Sequence, residues 1–200
     1  SLRQANELIF EEGQLKPGEC TFCDQLESQV CGRLARIAGR EPDKDRCRGA
    51  TIFCDAASGH VRAKFQFALN ATNSISALDS FERSSLQVGV CVSSCHADNG
   101  VFKSKRCAHE IMRNSQLIGR SGVGAKWQNG VLEGAISIIA SKARSLMVHA
   151  ALHWPEVEDA ALWPLAVGHA VQLCSRTPSS STGAAPVEVF AQTTSDCLAL

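Results

Sequence analysis

The chain is organised around one segment, which opens with His96-Ala97-Asp98-Asn99-Gly100 and closes with Gln128-Asn129-Gly130-Val131-Leu132-Glu133. Asp98 comes at the end of a valine-rich, alternating run that predicts a strand. Glu133 comes near the start of a long run with helical spacing. An acid at a strand end and an acid at a helix start, separated by a loop, are typical of a metal site.

A third acid is placed in the same way. Asp55 ends the apolar run Thr51-Ile52-Phe53-Cys54, whose β-branched and aromatic residues predict a buried strand. Each acid alone is more often a turn, cap or helix-dipole residue, and their joint order is what indicates a site. Three carboxylates from strand and helix ends can hold a pair of hard divalent cations. The sequence therefore predicts that Asp55, Asp98 and Glu133 converge at one edge of a sheet.

Hydrophobic periodicity supplies the rest of the architecture. The run over 51–54 and the alternating run over 60–67 predict a β-hairpin with one polar face. Alternation of Val88, Val90 and Val92 predicts another strand. Helical spacing predicts four helices, over residues 74–86, 103–114, 130–153 and 163–174. This order predicts an α/β domain with a mixed sheet flanked by helices.

The motifs in their order resemble a copia-type retrotransposon integrase core, within the retroviral integrase superfamily. The motifs that carry the resemblance are Thr51–Asp55, then Ala57-Ser58-Gly59-His60, the His96–Gly100 box, Gly122-Val123-Gly124-Ala125, and Gln128–Gly130 with Glu133. The match extends from about Gly18 to Phe190. It implies a ribonuclease-H-like fold with a catalytic core over residues 46–192. Residues 1–45 would be an N-terminal extension or linker, and 193–200 a tail.

The resemblance also implies a reaction, which is metal-dependent polynucleotidyl transfer. The ends of the element's DNA are trimmed with water as nucleophile, and the freed 3′-hydroxyl then attacks target DNA. Asp55, Asp98 and Glu133 would form the catalytic triad and hold two Mg²⁺ or Mn²⁺ ions. Contacts with DNA are expected from Asn99, Gly100, Lys126, Gln128 and Asn129. The expected partners are the element ends, target DNA and further copies of the chain in a homo-oligomer. The expected location is intracellular, in a cytoplasmic particle first and in the nucleus at the integration step.

Composition and charge constrain the class of protein. Twenty Lys and Arg balance twenty Asp and Glu over the whole chain. Between Val101 and Leu146, however, the sequence has eight basic residues and two acidic ones, Glu110 and Glu133. This local excess is suited to DNA phosphates. No apolar run approaches the roughly 18 residues that span a bilayer, so no membrane partner is expected. The ten cysteines, with a single C-x-x-C at Cys20, are interpreted as reduced structural thiols. The chain is expected to be a piece of a longer polyprotein.

Departures from the family pattern leave two alternatives open. Glu133 is followed by Gly134, where relatives usually carry Arg or Lys, and neither Ser137 nor Ala140 offers a cation to a DNA phosphate. One alternative is a degenerate, catalytically weak or silent DNA-binding or assembly module of the same fold. The other is a nuclease that only hydrolyses. Binding of a divalent metal would separate the silent module from both enzymes.

Overall fold

A computed structural model describes residues 15–34, 46–97, 117–120, 130–157, 159–180 and 182–193 of the chain. The strands are β1 (Thr21–Gly32), β2 (Cys47–Asp55), β3 (Val61–Gln66), β4 (Ser94–Ala97) and β5 (Leu117–Arg120). The helices are α1 (Ala71–Leu86), α2 (Gly130–His153), α3 (Trp163–Arg176) and α4 (Pro186–Ala191), with 3-10 turns at Pro155–Val157 and Ala160–Leu162. The helix predicted over 103–114 lies outside the described residues.

The five strands form one mixed sheet in the order β3-β2-β1-β4-β5. β1 pairs antiparallel with β2, and β2 pairs antiparallel with β3. β1 pairs parallel with β4, and β4 pairs parallel with β5. The predicted α/β architecture, a mixed sheet flanked by helices, is therefore confirmed.

The central strand comes from the part of the sequence that was predicted to be an extension. β1 lies within residues 1–45, yet it hydrogen-bonds to β2 on one side and to β4 on the other. A core beginning at residue 46 would leave both of these neighbours without their partner, so that predicted boundary is corrected to before β1. The strand carries Asp24, Gln25, Glu27 and Gln29, which are poor strand formers. Pairing on both sides overrides that preference.

The strand predicted over Val88, Val90 and Val92 is not formed. Residues 87–89 make a turn instead, in which Gly89 has φ +79° and its N–H donates to the Leu86 carbonyl at 3.0 Å. Val90 and Val92 are buried in the core without joining the sheet. The alternating valines thus indicated burial in the core and not a strand, and β4 begins only at Ser94.

Two apolar clusters cover the two faces of the sheet. On what we term the α1 face, Phe53 stacks on Phe81 with ring centroids 4.5 Å apart. Other members of that cluster are Cys23, Ala77, Leu78, Val90, Val92, Cys95, Ala97 and Phe190. On the opposite α2 face, Ile52 and Cys54 share a cluster with side chains of α2 and α3. Successive residues of β2 thus point to alternate faces, as the pleat requires.

The long helix predicted before Trp154 is confirmed as α2. Its Leu132, Ile139 and Ala143 are buried in the α2-face cluster, with Ile136 and Met147 half-buried beside them. By length and composition α2 is the one helix in the described ranges that could cross a membrane. In the structure, 11% of the stretch that passes this test is buried.

Candidate active site

The parallel pairing of β1 with β4 sets the position of the candidate site. Thr21 lies opposite Cys95, Phe22 opposite His96, and Cys23 opposite Ala97, where β4 ends. The next residue of β1 is Asp24. The next residue of the sequence after Ala97 is Asp98, which lies outside the described residues. Asp24 is therefore the residue of β1 that directly follows the last pair between β1 and β4.

Asp24 shares a face of the sheet with α2. Phe22 and Leu26, two residues before and after it, pack against the α2-face cluster. Side chains alternate along a strand, so Asp24 is on that same face. Its cross-strand neighbour on β2 is Ile52, a member of the cluster. The Asp24 carboxylate is half-buried, and its Oδ1 accepts a hydrogen bond from the Gln25 N–H at 2.7 Å.

Glu133 lies in the first turn of α2 and is exposed. It directly follows Leu132, which is fully buried in the α2-face cluster. A carboxylate in the first turn is stabilised by the positive end of the helix dipole. Glu133 and Asp24 therefore belong to elements on the same side of the sheet, Glu133 to the start of the helix that covers it and Asp24 to the central strand.

Asp55 is on the other face. It is the last residue of β2 and pairs with Thr21, three residues before Asp24 along β1. It is two residues from Phe53, which points into the α1-face cluster, and alternation puts Asp55 on that face as well. The sheet itself separates Asp55 from α2, which corrects the expected convergence of Asp55 with Glu133.

Both carboxylate oxygens of Asp55 accept hydrogen bonds from the protein. Oδ1 accepts from the Gly18 N–H at 2.8 Å, and Oδ2 accepts from the Ser58 N–H at 2.8 Å and the Ser58 hydroxyl at 2.6 Å. The residue is fully buried. An Asp that accepts the N–H groups of the turn it begins is a common turn residue. Asp55 thus closes the turn between β2 and β3 and ties the segment before β1 to the end of β2.

The two thiols near Asp55, those of Cys54 and Cys20, have raised pKa values. Burial raises the pKa of Cys54 to about 12, with the negative charge of Asp55 contributing next. Burial, and then Asp55, also raise the pKa of Cys20. Both thiols are therefore protonated at neutral pH. None of the eight cysteines of the described residues forms a disulfide, and two of them, Cys23 and Cys95, bring their sulfurs within 3.0 Å.

The other predicted site residues belong to the loops on either side of β5. Asp98, Asn99, Gly100, Lys126, Gln128 and Asn129 lie outside the described residues. Within the described ranges, no three His, Cys, Asp or Glu side chains gather as a metal-binding group. The described part of the candidate site therefore consists of Asp24 and Glu133. Their carboxylate oxygens are the ligand type that Mg²⁺ prefers, so the donor chemistry fits such an ion.

Asp24 was missed by the sequence reasoning, although a local signal exists. Thr21-Phe22-Cys23 precedes Asp24 as Thr51–Cys54 precedes Asp55, and both are apolar runs that end in an acid. Nothing local distinguishes the two. Asp24 is favoured over Asp55 as the site residue because β1 pairs parallel with β4 and because Asp24 lies on the α2 face.

The strand order, with the antiparallel hairpin on one side of β1 and the parallel strands on the other, is that of a ribonuclease-H-like fold. Within that class, the fold of this chain matches retroviral integrase catalytic cores. The catalytic core of HTLV-2 integrase, solved with magnesium in a trimeric form, superposes with a TM-score of 0.60 at 13% identity. That match covers 88% of this chain and 99% of the core.

Two further solved structures give the same result. The catalytic core of BIV integrase has a TM-score of 0.58 at 14% identity, over 86% of this chain and 93% of that core. A simian T-cell lymphotropic virus intasome, in complex with a PP2A regulatory subunit, has a TM-score of 0.61 at 14% identity over 88% of this chain and 55% of its own. No protein-family model and no curated protein matches the sequence. At these identities the comparisons establish the fold.

Proposed function

We propose that the chain is the catalytic core of a polynucleotidyl transferase of the integrase kind, carried by a copia-type retrotransposon. It would process the 3′ ends of the element's DNA and join them to target DNA. The observation that carries this proposal is the parallel register of β1 with β4. That register brings Asp24 beside the end of β4, on the side of the sheet where α2 presents Glu133.

In this proposal Asp24, Asp98 and Glu133 would hold the metal, and Asp24 replaces Asp55 in the predicted triad. A pair of divalent ions, when bound, activates the attacking oxygen and stabilises the leaving oxygen of a phosphodiester. The half-buried Asp24 is fixed by the central strand, whose neighbours on both sides limit its movement. Asp55 would have a structural role instead, since its hydrogen bond with Gly18 anchors the segment that leads into β1.

The DNA contacts and partners of this proposal follow the sequence prediction. Asn99, Gly100, Lys126, Gln128 and Asn129 would approach the DNA backbone, with Lys126 on a phosphate. The similar integrase cores are described in dimeric and trimeric forms and in an intasome, which supports a homo-oligomer that binds DNA. We further propose that the protein acts in the nucleus at the integration step, after a cytoplasmic particle stage.

A silent assembly module is the second candidate, and the outward surface of α2 favours it. Val131, Ile138, Val148 and Leu152 are 60%, 54%, 54% and 76% exposed. An apolar surface of this kind is typical of protein–protein contact. Such a module would have the same fold without binding a divalent metal.

A strand-transfer assay with labelled DNA ends, a target duplex and Mg²⁺ or Mn²⁺ tests the proposal. Asp24→Asn and Glu133→Gln should each abolish joining. Glu27→Gln is the matched control, since Glu27 is an exposed acid on the same strand as Asp24. Joining by Asp24→Asn at the parental rate would remove the proposed triad. Hydrolysis of DNA without any joining would favour the nuclease alternative.

A further inference from the structure

Two histidines lie one turn apart at the C-terminal end of α2. His149 and His153 have the i, i+4 spacing that places two side chains on the same face of a helix. Their imidazole rings stack with centroids 4.1 Å apart and ring planes at 22°. Both residues are exposed, so solvent and dissolved ions have access to the rings. We refer to His149 and His153 as the α2 histidine pair.

One hydrogen bond sets the tautomer of His153. Its Nδ1 lies 3.0 Å from the main-chain carbonyl oxygen of His149. A carbonyl oxygen only accepts hydrogen bonds, so Nδ1 is the nitrogen that carries the proton and donates. The neutral ring therefore has its lone pair on Nε2. Metal-binding histidines are held in this way in most proteins, with one ring N–H donating to a carbonyl or carboxylate and the other nitrogen on the ion.

The separation of the two rings fits bonds to a single ion. Transition-metal ions bind imidazole nitrogen at about 2.0–2.1 Å, so two nitrogens on one tetrahedral or octahedral ion are about 3 Å apart. Rings with centroids 4.1 Å apart reach this separation with a small tilt. The two histidines of a His-Glu-x-x-His helix, which have the same i, i+4 spacing, bind zinc from one helix face.

We propose that the α2 histidine pair binds a divalent transition-metal ion that prefers imidazole nitrogen, such as Zn²⁺ or Ni²⁺. Within the described ranges, no group of three His, Cys, Asp or Glu side chains gathers around an ion position. The pair therefore supplies two ligands, and water fills the other coordination positions. Mg²⁺ does not compete for this site, because it prefers oxygen ligands.

The pair is separate from the candidate active site. Glu133 is in the first turn of α2, whereas His153 is its last residue. At about 1.5 Å per residue along the helix axis, the pair is about 24–30 Å from Glu133. The ligands also differ in kind, since the candidate active site offers carboxylate oxygens and the pair offers nitrogens. The inference therefore goes beyond the proposed function and does not depend on it.

Calorimetric titration with Zn²⁺ tests the pair, in excess Mg²⁺ so that carboxylate sites are occupied. The parent should bind one Zn²⁺ at the pair, and His149→Gln and His153→Gln should each weaken that binding about tenfold or more. The double variant should lose little more than either single variant, because both nitrogens hold the same ion. His169→Gln is the matched control, since His169 is an exposed histidine on α3, and it should bind as the parent does.

Tryptophan fluorescence locates the bound ion. The Trp154 ring is 5.8 Å from the His153 ring and 6.4 Å from the His149 ring, measured between centroids. Because paramagnetic Ni²⁺ quenches a nearby indole, Ni²⁺ should quench the emission of the parent. The quenching should be reduced in His149→Gln, in His153→Gln and in Trp154→Phe.

Three results would overturn the inference. The first is parental Zn²⁺ affinity in both variants of the pair, or an equal loss in His169→Gln. The second is a pair of weak sites of which each single variant removes one, because this indicates histidines that bind separately. The third is Ni²⁺ quenching that is as strong in Trp154→Phe as in the parent, which would place the ion elsewhere. All of the altered histidines are exposed, so the variants keep the fold, as circular dichroism would show.

Discussion

Replacing Asp55 by asparagine should destabilise the fold by about 2–3 kcal/mol. The carboxylate is fully buried and accepts from Gly18 N, Ser58 N and the Ser58 hydroxyl. Asparagine keeps one of the two acceptor oxygens. An amide NH₂ group replaces the other oxygen, and this group is itself a donor that faces the donors of the protein. The serine hydroxyl can rotate away, so one backbone N–H is left without its acceptor, at about 1–3 kcal/mol. The remaining hydrogen bonds are then accepted by a neutral amide oxygen instead of a carboxylate, which weakens them by up to about half.

Asp24→Asn should leave the free energy of unfolding within about 0.5 kcal/mol of the parent. Asp24 is half-buried, and an asparagine oxygen can still accept from the Gln25 N–H. Urea unfolding followed by circular dichroism measures both variants. The midpoint for Asp55→Asn should fall by about 1 M, at a slope of about 2–3 kcal/mol per M. Equal midpoints for Asp55→Asn and the parent would refute the structural role of Asp55.

Three further predictions concern residues away from the site. Burial, and then Arg62, lower the pKa of His60 to about 4, so the unfolded chain takes up the proton first as pH falls from 6.5 to 4. About 3 kcal/mol of stability should be lost over that window, and His60→Phe should flatten this part of a stability–pH curve. Gly18→Ala should cost about 3 kcal/mol or more, because its Cβ would lie 2.3 Å from the Cys91 carbonyl oxygen at φ +86°. Gly89→Ala should cost about 1–2 kcal/mol, because φ is +79° but a Cβ at this position would have no other atom within 4 Å. Equal urea midpoints for Gly18→Ala and Gly89→Ala would contradict this difference. Iodoacetamide at mildly alkaline pH should modify the exposed Cys91 and spare Cys54, as mass spectrometry would show.

The elements with strong periodicity could be predicted from the sequence. The β2–β3 hairpin and the helices α1, α2 and α3 were all expected, because one face of each is apolar and packs on the core. Errors fell where the apolar pattern gives no boundary. The α1 helix begins at Ala71, capped by the Asn70 side chain. The prediction began one turn later, because Ala71-Thr72-Asn73 carries no large apolar residue.

The central strand and the choice of acid could not be predicted, for a physical reason. β1 is polar over much of its length, and its stability comes from pairing with β2 and β4, which no local pattern encodes. Asp24 and Asp55 have similar local surroundings. They differ in which face of the sheet they occupy, and that depends on register, where a shift of one residue exchanges the faces.

Titration of Mn²⁺ by calorimetry tests the central claim most directly. The parent protein should bind the ion, and Asp24→Asn and Glu133→Gln should each weaken binding about tenfold or more, because each removes a carboxylate ligand. Glu27→Gln, and Asp55→Asn at a temperature where it remains folded, should bind as the parent does. Parental affinity in Asp24→Asn, with binding lost in folded Asp55→Asn, would contradict the account.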